Sequence, residues 1–218
     1  MKTVLTVAGS DPSGGAGIQA DIKTITAHGL YATSAITALT VQNTLGVSRV
    51  EPVPVDLVAQ QIDCVVGDIR PDAVKIGMLC NAEIVQAVAQ ALAHGQAECI
   101  VIDPVMISTS GHRLLDQEAV QWMKRKLFPM AQLITPNLPE AEALCGMRVR
   151  DEAEMERAAR LLSDQTGRRC SSKGGILPRR RTICCFKMGK LTGSRAAGWK
   201  IPIRMAPAAR FPLRLPVA

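Results

Sequence analysis

The stretch AGSDPSGGAGIQAD, residues 8–21, joins the first predicted strand (residues 3–8) to the first predicted helix (residues 16–28). Its four glycines allow backbone N–H groups to approach a ligand at the start of that helix. It is not a P-loop, because Gly15 and Ala16 stand where such a loop needs lysine and serine or threonine. A ligand-binding loop and a plain tight turn both explain this pattern.

Outward from this loop, short apolar runs alternate with longer amphipathic segments. Strands are predicted at residues 3–8, 35–41, 73–76, 99–103 and 132–135, and helices at residues 16–28, 55–68, 82–93, 117–126, 139–144 and 152–166. This alternation predicts an α/β fold, with a mostly parallel central sheet and helices on both faces. In such sheets ligands bind beyond the carboxyl ends of the strands, so the loops after strands are the candidate sites.

The composition of the chain changes near Gly167. Residues 1–167 carry 13 Lys and Arg against 19 Asp and Glu, whereas residues 168–218 carry 13 Lys and Arg and no acid. Five of the 13 prolines also lie in residues 168–218, where periodicity fails. We therefore predict an incomplete α/β domain at 1–167 and an aberrant basic tail at 168–218. The C-terminal part of the sheet is expected to be missing or disordered.

Composition also limits the classes of function. Aromatic residues make up 3% of the chain, which argues against a stacking surface for single-stranded nucleic acid. The apolar run after Lys2 ends at Gly9, which is too short for a secretory leader or a membrane span. The seven cysteines show no paired spacing. Cytoplasmic localisation is the expectation, without a membrane partner.

Polar residues follow several predicted strands. Gln42 ends one strand, and its carboxamide can donate and accept hydrogen bonds to an aminated heteroaromatic ring. Asp103 ends another and could hold Mg²⁺ or its waters. Asn137 and Glu140 could orient phosphate and Mg²⁺, or form a helix N-cap with an acidic first turn. Met78, also after a strand, is of a type that usually fills a core.

Five segments in a fixed order carry a family resemblance: AGSDPSGGAGIQADIKT, TALTVQNT, VKIGML, DPVM and ITPNLPEAEAL. Over about residues 1–167 the chain resembles the hydroxymethylpyrimidine/phosphomethylpyrimidine kinases of thiamine biosynthesis. The resemblance implies a ribokinase-like fold and use of ATP with Mg²⁺. It implies phosphoryl transfer to 4-amino-5-hydroxymethyl-2-methylpyrimidine and then to its monophosphate. Relatives are often dimers, so a homodimer is compatible with the resemblance.

The resemblance also assigns residues to roles. Five positions match the surroundings of the pyrimidine: Gly9, Asp21, Gln42, Met78 and Val105. Four match the surroundings of the ATP phosphates: Asp103, Asn137, Glu140 and Lys173. Mg²⁺ would be held through Asp103 or Glu140.

One family feature is absent from the sequence. The family has an HGTGCT loop whose N–H groups form an anion hole, and nothing of that form follows Gly167. No catalytic residue is therefore identified. With suitable codons, RMAPAARFPLRLP (204–216) becomes HGTGCT and its helix in a neighbouring frame. The segments at 168–177 and 178–193 become family-like in the same shift, which predicts a frame slip near residues 166–170.

Two alternatives to an active pyrimidine kinase stay open. A pyridoxine or pyridoxal kinase would share the fold implied by the resemblance. An inactive kinase scaffold with a nucleic-acid-binding tail would explain the charge of residues 168–218. Nucleic-acid binding is the less favoured of the two, because the tail is broken by proline and carries cysteine.

Overall fold

The structure, a computed structural model, describes residues 1–106, 115–166, 169–173, 183–187 and 190–192. Eight strands form one sheet in the order β10-β9-β8-β7-β6-β5-β1-β2. Its strands are β1 (Thr3–Ala8), β2 (Tyr31–Ile36), β5 (Ala73–Ile76), β6 (Ile100–Ile102), β7 (Leu133–Ile134), β8 (Arg169–Lys173), β9 (Ile183–Lys187) and β10 (Lys190–Thr192). The pairs from β2 to β8 are parallel, and β9 and β10 are added antiparallel.

A separate two-stranded hairpin consists of β3 (Ala38–Asn43) and β4 (Gly46–Pro52). Its ladder shifts register between Val41 and Gln42, because Val41 pairs with Arg49 whereas Gln42 pairs with Val47. Ser48 is therefore an extra residue in β4, a β-bulge. The hairpin leaves the main sheet where β2 ends, so it stands beside the carboxyl edge of the sheet.

In the part of the chain that the structure describes, six α-helices connect the strands: α1 (Gly17–Ala27), α2 (Val55–Asp68), α3 (Ala82–His94), α4 (Gln117–Trp122), α5 (Leu138–Cys145) and α6 (Glu152–Thr166). Helix α3 begins where the Asn81 side chain accepts the N–H of Ile84 at 2.9 Å. Eight of its side chains are buried, in keeping with the apolar spacing of its sequence.

The helices cover both faces of the sheet. Along β5, Val74 and Ile76 are buried in one cluster with Val58 of α2 and residues of α3. Lys75, between them, contacts Asp21 of α1. Successive side chains of a strand point to opposite faces, so α1 lies on the other side of the sheet. The prediction of a mostly parallel sheet with helices on both faces is confirmed.

The prediction of one strand over residues 35–41 is wrong. The chain forms β2 and β3 instead, in different sheets, with Thr37 between them. The Thr37 N–H donates to the Ala8 carbonyl at 3.0 Å, and its hydroxyl donates to the Met78 carbonyl at 2.6 Å. These tertiary bonds end β2 inside the segment that the sequence predicts as one strand. Strand β4 was also not predicted, because it lies mostly exposed and shows no core-facing alternation.

The predicted helix over residues 117–126 is α-helical only as far as Trp122. A π-turn at Met123–Leu127 and a 3₁₀ turn at Phe128–Met130 follow it. Pro129 lacks the N–H that an α-helix would need at this point. The change of geometry buries Met123, Leu127 and Phe128 completely.

The expectation that strands are missing beyond Gly167 is wrong for three segments, β8, β9 and β10. Strand β8 pairs parallel with β7, through Leu133 with Arg169 and Ile134 with Cys170. The open edge of β7 offers backbone donors and acceptors to any strand that follows, which explains the pairing despite the polar sequence RCSSK. The other residues of the tail, 168, 174–182, 188–189 and 193–218, lie outside the described residues.

Among the described residues, no helix has the length and apolar character required to span a bilayer.

Candidate active site

The candidate site lies along the carboxyl edge of the sheet. Because β1, β2, β5, β6, β7 and β8 are parallel, the residues that follow them share this edge. Of the residues assigned to the pyrimidine, Gly9 follows β1, Met78 follows β5 and Val105 follows β6. Of those assigned to the ATP phosphates, Asp103 also follows β6, Asn137 and Glu140 follow β7, and Lys173 ends β8. The two groups therefore lie side by side along one row and meet at β6.

Gly9 and Met78 are brought together at the ends of β1 and β5. A Cβ atom placed on Gly9 would lie 2.5 Å from the Met78 Cε atom. The glycine therefore leaves the space that the methionine methyl group occupies. Met78 is 9% exposed and belongs to the buried apolar residues of the core.

Two threonines that the sequence did not single out tie the hairpin to this end of the edge. Thr37 is fully buried and donates its hydroxyl to the Met78 carbonyl. The Thr40 hydroxyl lies 2.7 Å from the Ser10 carbonyl and 3.4 Å from Gln42 Oε1. Both threonines lie in the segment TALTVQNT. A threonine among apolar residues was the feature from which the sequence could have indicated these buried hydrogen bonds.

Gln42 is half-buried on β3, next to the register shift of the hairpin. It contributes to a wide, open concavity of about 400 Å³ lined by hairpin residues, among them Leu45 and Val47. An amide beside apolar side chains suits a small aminated ring, which needs both a flat contact and a directional hydrogen bond.

Asp21 lies on α1 with its carboxylate directed at the sheet. Its Oδ2 atom accepts a hydrogen bond from the Thr6 hydroxyl and one from the Lys75 ammonium, each at 2.6 Å. The side chains of Lys75 and Asp21 are 28% and 20% exposed. The pair links α1, β1 and β5 immediately below the carboxyl edge. Lys75 was not predicted, although a lysine inside the strand of VKIGML was a visible signal.

The first loop folds around the side chain of Asp11. The carboxylate accepts the N–H groups of Ser13 at 2.8 Å, Gly15 at 3.1 Å and Ala16 at 2.8 Å, and also the Ser13 hydroxyl at 2.7 Å. Asp11 is 2% exposed. The structure therefore combines the two explanations of this loop, a tight turn and an anion-binding loop. The loop turns tightly, and the anion that its N–H groups bind is the carboxylate of its own Asp11.

Asp103 and Val105 follow β6. The Asp103 N–H continues the sheet by donating to the Ile76 carbonyl, and Thr135 places its hydroxyl 3.4 Å from Asp103 Oδ1. Val105 donates its N–H to the Asp103 carbonyl at 2.8 Å, which turns the chain sharply after the strand. Both side chains are half-buried. The following residues, 107–114, lie outside the described residues.

Asn137 and Glu140 form a complete capping box at the start of α5. The Asn137 side chain accepts the Glu140 N–H at 2.9 Å, and the Glu140 carboxylate accepts the Asn137 N–H at 2.8 Å. Glu140 is 2% exposed. The N-cap explanation of this segment is confirmed, and any role toward phosphate or Mg²⁺ is additional to it.

Lys173 is the last residue of β8 and continues the row beyond β7. Its position brings it to the same edge as Asn137, as the assignment to the phosphates requires. Its side chain lies outside the described part of the structure. No GTGC sequence is present anywhere in the 218 residues.

The residues available for Mg²⁺ are carboxylates of unequal suitability. Asp103 is half-buried at the edge, and carboxylate oxygen is the type of ligand that Mg²⁺ prefers. Glu140 uses Oε2 in the capping box and is almost wholly buried. The described residues contain no group of three or more His, Cys, Asp or Glu suited to a metal. Of the two residues, Asp103 is the better candidate for Mg²⁺, which proteins usually bind through one or two carboxylates together with substrate phosphates.

The fold and this edge define a class, the ribokinase-like proteins. A solved phosphomethylpyrimidine kinase from Clostridium difficile superposes with a TM-score of 0.81 at 41% identity, over 88% of this chain and 83% of that one. A pyridoxal kinase from Bacillus subtilis, solved as an ADP complex, superposes with a TM-score of 0.80 at 32% identity, over 88% of this chain and 73% of that one.

Within that class, the chain belongs to the phosphomethylpyrimidine kinase family, whose model matches residues 11–192. The match runs past Gly167 and includes β8, β9 and β10. A hydroxymethylpyrimidine/phosphomethylpyrimidine kinase from Haemophilus influenzae is 48% identical over 175 residues, which are 80% of this chain. Those residues span 65% of the Haemophilus protein, so this chain covers less than two thirds of that relative's length.

Proposed function

We propose that this chain binds 4-amino-5-hydroxymethyl-2-methylpyrimidine and its monophosphate, and that its family's reaction is ATP-dependent phosphorylation of both. The pyrimidine would lie between Gly9, Met78 and Gln42, with Val105 as a second apolar wall. Asp21 would act from beneath this site, through its ion pair. The ATP phosphates would lie over Asp103, Asn137, Glu140 and Lys173.

The observation that carries the proposal is the row of residues at the carboxyl edge. An amide and apolar side chains surround the ends of β1 and β5, while carboxylate, amide and ammonium residues follow β6, β7 and β8. A phosphoryl donor and an acceptor placed side by side on one edge is what transfer between two small molecules requires. Bound with ATP, Mg²⁺ would neutralise charge on the phosphates.

Binding of the pyrimidine tests the first half of the proposal. Calorimetric titration of the 218-residue protein should show saturable binding of the pyrimidine alcohol. Gln42→Ala should weaken that binding by about tenfold, because one directional hydrogen-bonding group is lost. Gln60→Ala, at an exposed position on α2, is the matched control and should bind as the parent does. Absence of binding by the parent protein would reject the proposal.

A pyridoxal kinase is the second candidate, and the superposition on the Bacillus subtilis pyridoxal kinase favours it. Titrations with pyridoxal and with the pyrimidine alcohol on the same preparation separate the two. The first proposal requires the pyrimidine to bind more tightly. Tighter binding of pyridoxal would replace it with the second.

We also propose that phosphoryl transfer is impaired in this chain, because the sequence lacks the GTGC loop that would stabilise the transferring group. A frame slip near residues 166–170, separating a kinase domain at 1–167 from an aberrant tail at 168–218, explains this loss. Nucleotide sequencing across codons 160–218 tests it. Codons that yield no HGTGC in either neighbouring frame would refute the slip, and normal turnover would refute the impairment.

Cytoplasmic localisation and a homodimer complete the proposal. Exposed apolar side chains on the hairpin, Leu39, Val41 and Leu45, support an assembly of more than one chain. Light scattering on the purified protein should give twice the mass of 23.3 kDa. A monomeric mass at all concentrations would reject the dimer.

A further inference from the structure

We infer that Asp11 is a positioning residue of the pyrimidine site: its carboxylate is a built-in anion that fixes the shape of the first loop. The inference rests on the proposed function for the identity of the ligand. It assigns to Asp11 a role in the site without placing it against the substrate.

The first step is the convergence of donors on the Asp11 carboxylate. Three backbone N–H groups, from Ser13, Gly15 and Ala16, point at it, as the N–H groups of glycine-rich loops point at a phosphate. Here the side chain of the loop itself takes the anion's place, and it is 2% exposed. These three amides are therefore committed inward, and the ATP phosphates have their residues at β6 to β8 instead.

The second step is that the main chain of Asp11 is held as firmly as its carboxylate. Its N–H donates to Gln19 Oε1 at 2.7 Å, and its carbonyl accepts the Gly14 N–H at 2.9 Å. Gln19 lies in the first turns of α1. Asp11 thus connects the loop to the helix that follows it, using every polar group it has.

The third step leads from the loop to the ligand wall. The Gly9 carbonyl accepts the Ile18 N–H at 3.0 Å, and a Cβ on Gly17 would lie only 2.3 Å from that carbonyl oxygen. The start of α1 therefore packs directly on the Gly9 backbone, whose α-carbon faces Met78. Any movement of residues 13–17 would displace Gly9 and change the space beside Met78.

The test is removal of the carboxylate and its chemical replacement. Asp11→Ala leaves a small space with three N–H donors, which formate fits. We expect the variant to lose about tenfold or more in pyrimidine affinity, measured by calorimetry. Formate should restore the affinity with a saturable concentration dependence. Asp63→Ala, at an exposed position on α2, should keep the parent affinity with and without formate.

A second variant covers the case in which Asp11→Ala does not fold. Asp11→Asn keeps the size of the side chain and one acceptor oxygen. One oxygen cannot accept all three N–H groups, because Ser13 donates to Oδ1 whereas Gly15 and Ala16 donate to Oδ2. The amide of Ser13, or those of Gly15 and Ala16, should therefore exchange hydrogen faster than in the parent, while amides of α3 remain unchanged. Parent-like affinity in either folded variant would overturn the inference, as would loss of affinity that formate does not restore.

Hydrogen exchange also separates this inference from the proposed function. If the parent protein binds no pyrimidine, the proposed function fails, and the exchange rates of Ser13, Gly15 and Ala16 still decide the role of Asp11 in the loop. Faster exchange in Asp11→Asn supports that role. Equal exchange in variant and parent rejects it.

Discussion

The two edges of the sheet handle polar groups in opposite ways. At the amino edge, Lys2 and Asp72 form an ion pair whose side chains are 76% and 35% exposed. Just below the carboxyl edge, Lys75 and Asp21 form one that is 28% and 20% exposed, and Asp11 is nearly inaccessible. Buried polar groups are costly unless fully paired. The chain thus places paired, buried polar groups near the edge where a bound ligand would need rigidly held surroundings.

The largest difference between the two edges is expected in the stability lost when alanine replaces a glycine of positive φ. Gly17 has φ of +56° and no room for a Cβ, whereas Gly29, before β2 at the amino edge, has φ of +72° and open space around it. Gly29→Ala should cost about 1–3 kcal/mol of stability from backbone strain alone. Gly17→Ala should cost more and weaken pyrimidine binding. Denaturant unfolding and calorimetry measure both, and equal losses would contradict the comparison.

The next largest difference is expected in the stability lost when the lysine of each ion pair is replaced. Lys75→Met leaves the Asp21 carboxylate with the hydrogen bond from the Thr6 hydroxyl on β1, and should cost about 1–3 kcal/mol in unfolding free energy. Adding Asp21→Asn should recover part of that loss, because no charge is then left unpaired. Lys2→Met should change the melting temperature less, since exposed pairs contribute little. A larger loss of stability in Lys2→Met than in Lys75→Met would contradict the comparison of the two edges.

The ion pair of Lys2 and Asp72 at the amino edge should affect how the free energy of unfolding depends on pH in acid. The hydrogen bond from Lys2, with that from the Thr3 N–H, lowers the pKa of Asp72 from 3.8 to about 2. A carboxyl group with a lower pKa in the folded state stabilises the protein above pH 3.8 and loses that contribution as the pH falls toward 2. Asp72→Asn should therefore flatten the fall in stability over this range. Chemical unfolding at several pH values tests it.

The smallest effect concerns thiol chemistry and leaves stability unchanged. Burial raises the pKa of Cys80, which follows β5 at the carboxyl edge, from 9.0 to about 11. Cys64 on α2 is exposed. Since the thiolate is the reactive form, iodoacetamide at pH 8 should label Cys64 well before Cys80. Peptide mass spectrometry measures the two rates, and faster labelling of Cys80 would show that this edge is open to solvent.

Much of the fold follows from local patterns. The strands at Thr3–Ala8 and Ala73–Ile76 and the helix at Val55–Asp68 have the predicted bounds, because their apolar spacing and their flanking turns agree. The break at Thr37 could not be predicted, since its hydroxyl bonds to a residue 41 positions away. The pairing of β8 with β7 depends on an available sheet edge and not on the polar sequence of β8.

The candidate site also contains residues that local motifs indicate and residues that depend on distant partners. Gly9, Gln42 and Met78 could be proposed from the sequence because they belong to motifs, whereas the ion pair of Lys75 joins it to Asp21, 54 positions away in sequence. Asp11 was missed for a different reason. Its partners lie only two to five residues ahead, and an aspartate before Pro-Ser-Gly-Gly is a turn signal of known chemistry. The glycines of this loop indicate a ligand site, whereas the anion that its N–H groups bind is a side chain of the loop itself.

The extra residue in the hairpin has a consequence for how this protein could be altered. Ser48 has no partner opposite it in the ladder, and its hydroxyl donates to the Val41 carbonyl at 2.9 Å. Such an insertion coils a two-stranded ribbon more tightly and resets which face each later side chain occupies. The faces occupied by residues 49–52 of β4 are thus set by chain length and not by residue type. Excising Ser48 would turn those side chains to the opposite face, which no replacement of a side chain can reproduce.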